Sequence, residues 1–152
     1  MAHVDVTLTI IGLVISIHVL GMYAFSPIVG SLSDRIGRIR TIQIGVLILL
    51  LSALISGFAM ADDAITLGIG LFLLGLGWSC TLIAGSALLA ESVSSEMKTS
   101  AQGASDLVMN LSGAGGGALA GVIIGTLSYG WLCLVAAIPV TFLGVWSQRI
   151  NK

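Results

Sequence analysis

The residues able to do chemistry in this chain are few and grouped. Arg35, Arg38 and Arg40 share one short polar gap with Gly30, Asp34 and Gly37, and they are three of the chain's six Lys and Arg residues. Glu91 lies in a later polar gap with Glu96 and Lys98. Guanidinium and carboxylate groups clustered in this way can form charge-assisted pairs. Gln102, Asp106 and Asn110 recur at every fourth residue, and His18 sits midway through another apolar stretch. A carboxylate or imidazole in such surroundings can handle a proton or meet a solute. No nucleophile–base set and no metal-ligand spacing is present, and His3 is a lone terminal residue. Cys80 and Cys133 are far apart, each inside an apolar run, and read as small packing residues. The chemistry on offer is charge pairing and proton exchange. An enzyme is not expected, nor is a cofactor or a metal.

The elements that must position these groups are membrane helices. The 152 residues are 57% hydrophobic and only 9% charged, with a mean hydropathy of +1.11. A soluble domain of this length could not hide that much apolar surface, so the expected solvent is the lipid bilayer. The net charge of −1 and the lack of a basic stripe give no ground for a nucleic-acid partner. Five segments reach the roughly 20 residues that a helix needs to cross. They run over about residues 7–29, 41–61, 65–90, 100–127 and 129–146. The expected fold is an all-α membrane protein, with residues 1–152 forming a single transmembrane domain of five transmembrane helices. No alternating ten-residue pattern suggests a barrel.

The gaps between these spans assign sides. Arg35, Arg38 and Arg40 follow the first span, Lys98 follows the third, and Arg149 and Lys152 follow the fifth. Asp62 and Asp63 follow the second, without a basic residue. All six cations therefore fall on one side. The positive-inside rule makes that side cytoplasmic, with the amino terminus outside and the carboxyl terminus inside a plasma (inner) membrane. The start, Met1-Ala2-His3-Val4-Asp5, lacks the basic region of a cleavable signal. An outside amino terminus without a signal suggests a missing upstream portion.

Two kinds of span emerge. The second and fifth are almost wholly apolar and read as lipid-facing. The first, third and fourth hold the unusual groups: His18 and Tyr23, Trp78 and Ser79, and Gln102, Asp106 and Asn110. Such groups usually face a bundle interior or a watery cavity. For His18 two readings stand, a hydrogen-bonded packing residue or a proton- or substrate-linked one. For Asp106 they are a carboxylate held by its own helix amino end or a gating or proton-handling group. Gly113, Gly117, Gly121 and Gly125 also recur every fourth residue and form a groove that a second helix could enter closely. Pro27 and Pro139 should bend their helices, and Trp131 and Trp146 read as interfacial anchors.

The run from Gly30 to Arg40 resembles the signature loop of the major facilitator superfamily, Gly-x-x-x-Asp-Arg-x-Gly-Arg followed by further basic residues. Gly30, Asp34, Arg35, Gly37 and Arg38 match. Ile39 departs from the pattern, and Arg40 supplies the basic residue one place later. The stretches His18–Tyr23, Gly75–Trp78 and Gln102–Asp106 are similar to the carboxyl-terminal half of bacterial members. The resemblance implies a transporter of small solutes, with these five helices as the eighth to twelfth of twelve, an incomplete six-helix half-bundle. The family's eighth, tenth and eleventh helices line the cavity, so His18, Tyr23 and Trp78 would lie on a solute path. It also implies that Asp34 faces a helix amino terminus of the other half, and that Arg38 pairs with an acid on the same half, for which Glu91 is the choice. The first half and seventh helix have no counterpart here, so the expected partner is a missing amino-terminal half or a second membrane chain. A second reading is a non-transporting remnant or interaction subunit that docks through the glycine groove.

Overall fold

A computed structural model describes residues 8–59 and 63–150. Asp62, Lys152, His3 and the outermost residues of the first two expected spans lie outside them. Among the described residues the secondary structure is six helices in chain order: α1 (Leu8–Tyr23), α2 (Ser26–Ile36), α3 (Arg38–Phe58), α4 (Ala64–Ser92), α5 (Lys98–Thr126) and α6 (Tyr129–Ile150). They make five membrane-length crossings, because α1 and α2 together form the first, over Gly12–Ile36. The protein is an all-α, multi-pass membrane protein.

The first crossing differs from the expected span of 7–29 in two ways. It breaks after Tyr23, since Pro27 has no N–H to give the Tyr23 carbonyl four residues back. Pro27 instead occupies the first turn of α2, and Ser26 Oγ donates to the Met22 carbonyl at 3.1 Å. The crossing then continues as helix to Ile36, so Gly30, Asp34 and Arg35 are helical and not part of a loop. The connection to α3 is the single residue Gly37, whose φ of +96° suits glycine. For the same reason the second crossing begins at Arg38, three residues before the expected start. At the other side, Asp63 caps α4 by accepting from the Thr66 N–H at 2.9 Å. The last crossing runs four residues past its expected end, through the polar Ser147–Ile150 turn, and Pro139 lies within its continuous helix.

α4 is the hub. It packs most extensively on α3 and α1, while α3 in turn packs on α6. Small residues make this possible. A Cβ on Gly21 of α1 would lie 2.6 Å from the Phe72 carbonyl oxygen, and one on Gly75 of α4 would collide with the His18 carbonyl. α1 and α4 therefore touch backbone to backbone. Gly45 and Gly77 do the same for α3 and α4. Buried hydroxyls find partners across the packed helices, as where Ser52 Oγ of α3 donates to the Gly70 carbonyl of α4 at 2.7 Å.

Burial on α3 within the described chain follows the size of its residues and not their polarity. α3, read as purely lipid-facing, buries Thr41, Gly45, Val46, Ser52 and Ser56. Its small residues, not its lack of charge, decide the matter. α5, read as a candidate to line a cavity, buries none of its residues within the described chain and touches α4 and α6 only lightly.

Candidate functional site

The charged groups converge where α2, α3 and α4 end together. Gly37 turns the chain so that Arg38 opens α3 beside the last turn of α2. α4 runs antiparallel to α3 and brings Glu91 to the same level. Arg38 Nε and Nη2 both donate to Glu91 Oε1, at 3.1 and 2.8 Å. Its Nη1 donates to Asp34 Oδ1 at 2.5 Å and to Ser33 Oγ at 3.2 Å. One guanidinium thus joins three helices, using the planar fork that lysine lacks. The Arg38 side chain is 24% exposed, against 67% for Asp34 and 55% for Glu91. The junction is anchored at its centre and wet at its rim.

The Arg38–Glu91 pair is the one expected from the sequence. Asp34 differs: it engages Arg38 on its own half, an i,i+4 contact that its spacing could have signalled. Ser33 was not expected in the cluster, though it also lies inside the Gly30–Arg40 run. Arg35 and Arg40 are exposed and form no ion pair among the described residues.

A second set lies deeper in the membrane. His18 Nδ1 is 2.8 Å from the Leu71 carbonyl, tying mid-α1 to mid-α4. The carbonyl can only accept, so Nδ1–H is the donor, which fixes the ring's tautomer and orientation. Tyr23 and Trp78 stack edge to face with centroids 6.3 Å apart, and Tyr23 is 60% exposed. Beside them Ser26 Oγ meets the buried Ser79 Oγ at 3.5 Å. The structure brings Tyr23 and Trp78 together, and it holds His18 on the same pair of helices.

The third set is on α5. Gln102 Nε2 donates to Asp106 Oδ1 at 3.0 Å, and Asn110 Nδ2 donates to the Asp106 backbone carbonyl at 2.7 Å. With α5 starting at Lys98, Asp106 stands about 12 Å along the helix. At about 100° per residue, Gly113, Gly117 and Gly121 fall on the same face as this ladder. No atom beyond α5's own backbone lies within 4 Å of a Cβ built at Gly113, Gly117, Gly121 or Gly125. The ladder and the groove therefore form one seam, open along its length within the described chain.

Comparison with known proteins agrees with this architecture. Residues 1–150 match the family model of the Major Facilitator Superfamily. The chain is 40% identical over 151 residues to YdeG of Bacillus subtilis strain 168, described as an uncharacterized MFS-type transporter, covering 97% of this chain and 35% of that protein. It is 37% identical over 138 residues to YddS of the same organism, described in the same words, covering 91% of this chain and 32% of that protein. The chain thus spans about a third of the length of these relatives. No solved structure matches it. A helical bundle of membrane-length crossings, a Gly–Asp–Arg–Gly–Arg junction and a match over nearly every residue lead to one assignment: this chain belongs to the Major Facilitator Superfamily.

Proposed function

We propose that the chain is part of a secondary transporter that moves a small solute across the inner membrane by alternating access. The observation that carries this reading is the Arg38 junction. Exposed ion pairs contribute little net stability and are easily exchanged. A junction of this kind can hold three helix ends in one state and release a partner in another. Asp34, the most exposed member, is the one free to exchange Arg38 for a helix amino terminus on another protein surface.

On this reading the arginine end is cytoplasmic and the amino terminus lies outside. His18, Tyr23 and Trp78 contribute one wall of the solute path. Asp106, with Gln102 and Asn110, is the candidate for proton coupling. The remainder of the path comes from further protein, either the rest of a longer transporter or a second membrane chain. The open seam on α5 supports a second reading, an interaction subunit that docks a partner helix there.

The test starts with the reading frame around the coding DNA. The longest frame is expressed, and uptake of a panel of small solutes is followed in everted vesicles across a range of pH. Arg38→Ala should abolish uptake, and the exchanged pair Arg38→Glu with Glu91→Arg should restore part of it. Asp106→Ala should flatten the pH dependence. Unchanged uptake in Arg38→Ala would remove the junction from the mechanism, and unchanged pH dependence would remove Asp106. A frame no longer than this chain, with no uptake, would leave the docking reading in its place.

A further inference from the structure

The acceptors around Arg38 are not alike. Nε and Nη2 share the carboxylate oxygen Glu91 Oε1. Nη1 has two hydrogens and two acceptors, Asp34 Oδ1 and Ser33 Oγ. Asp34 stands on the wet rim, whereas Ser33 is 1% exposed. A guanidinium only donates, so the Ser33 hydroxyl oxygen accepts. Water reaches the first acceptor and not the second. The backbone fixes Ser33 in this place. Its carbonyl accepts from the Gly37 N–H at 3.1 Å, and the Gly37 carbonyl accepts from the buried Thr41 Oγ1 at 3.1 Å. The turn that presents Arg38 is thereby held from both sides, with Ser33 at a set position against the guanidinium.

We infer that Ser33 is a positioning residue, whose hydroxyl keeps Arg38 seated on Glu91 while Asp34 is free to leave. The inference deepens the transporter reading, in which Asp34 exchanges Arg38 for another partner, and rests on that reading for its purpose. When Asp34 departs, the N–H it releases at the rim passes to water at little cost. The other Nη1 hydrogen faces a buried side chain, where an unmet donor of a charged group carries its desolvation penalty. Ser33 meets that donor with Asp34 present or absent. With the hydroxyl removed, the guanidinium has to tilt toward the rim to find water, and the tilt draws Nε away from Glu91. A neutral acceptor suits the position, because it orients Arg38 without competing for the charge to which Asp34 must return.

The test reads Arg38 directly. Protein from the longest reading frame is placed in nanodiscs with nitrogen-15 confined to arginine, and exchange of the Arg38 Nε–H with water is measured. The Arg38 signal is the one lost in Arg38→Lys. Ser33→Ala should speed this exchange roughly 10- to 100-fold, as expected for one hydrogen bond to a charged group. Asp34→Ala should speed it only about 2- to 3-fold, as for an exposed ion pair. Ser33→Cys refills the space with a weak acceptor and should behave as Ser33→Ala. The Gly37 amide, bonded to the Ser33 carbonyl, should keep its protection in all three variants. An unchanged rate in Ser33→Ala would show that Arg38 is seated without the hydroxyl. A wild-type rate in Ser33→Cys would make volume the cause, and a Gly37 amide freed as much as Arg38 would make it loss of the turn. Each of these results overturns the inference. The transporter reading fails on a separate measurement, unchanged uptake in Arg38→Ala, which has no bearing on these rates.

Discussion

Replacing Gly75 with alanine should loosen the centre of the bundle, and the structure gives the scale. A methyl at Gly75 would collide with the His18 carbonyl oxygen and lie 3.0 Å from the Met22 nitrogen and 3.2 Å from the Gly21 carbonyl carbon. All three are backbone atoms of α1, so no rotamer can move aside. Relief requires α1 to withdraw by about 1 Å, a gap that forfeits a quarter to a half of each dispersion contact along the crossing. The same shift would stretch the His18–Leu71 contact from 2.8 Å to about 3.8 Å, beyond hydrogen-bond reach. Overpacking of this kind costs about 1–3 kcal/mol, and alanine's better helix propensity returns about 1 kcal/mol. The control is Gly85→Ala on the same helix, where a Cβ meets nothing within 4 Å. It should be neutral or stabilising by up to about 1 kcal/mol. Titration of the detergent-solubilised protein with SDS, followed by helical circular dichroism, separates the two. Gly75→Ala should unfold at the lower SDS fraction. If both variants unfold together, or Gly75→Ala proves the more stable, then backbone contact between α1 and α4 is not what holds the bundle.

Two further outcomes follow from the helix ends. The Thr66 hydroxyl, and then its backbone N–H, hold the Asp63 carboxylate below its usual range. A depressed folded value means that the cap contributes stability above the unfolded pKa, about 3.9, and loses it as pH falls through the folded value. The protection of the Thr66 and Leu67 amides, taken relative to their intrinsic exchange rates, should therefore fall below about pH 4, and Asp63→Ala should show no such step. For sidedness, single cysteines at Ala64 and Lys98, in a background of Cys80→Ala and Cys133→Ala, are exposed to an impermeant maleimide on intact cells. Ala64→Cys should label and Lys98→Cys should not; the reverse pattern would invert the proposed orientation.

The crossings were legible because bilayer thickness imposes a length that few other structures need. The Arg38–Glu91 contact was legible through the Gly30–Arg40 pattern, which carries information about spatial neighbours that hydropathy lacks. What misled was charge density. Gly30, Asp34 and Arg35 look like a loop, yet a helix at the membrane border tolerates them when the charged side chains point outward. The inward face of α3 was written in small residues. Thr41, Gly45, Ser52 and Ser56 lie on one helical face, and all four are buried. A search for charge alone passes over them, because close packing in lipid depends on small size more than on polarity.

Glycine plays opposite roles in the two halves of this bundle. On α1, α3, α4 and α6, a Cβ added at Gly21, Gly45, Gly75, Gly77 or Gly144 would come closer than 3.0 Å to a neighbouring helix. There each glycine is compensated by the contact it permits. On α5, Gly103, Gly113, Gly115, Gly116, Gly117, Gly121 and Gly125 meet nothing. Each is less favourable in a helix than alanine by about 1 kcal/mol, and no packing within the described chain offsets that cost. Asp106 lies on the same side and is exposed within the described chain, and an ionisable group inside a membrane crossing is costly to leave in hydrocarbon. The carboxylate ladder and three of these glycines share one face, so the docking proposed for this seam would act on both, bringing close backbone contact and hydrogen-bond donors for Asp106. The relatives are about three times longer than this chain, so the proposed transporter has further protein from which such a surface can come.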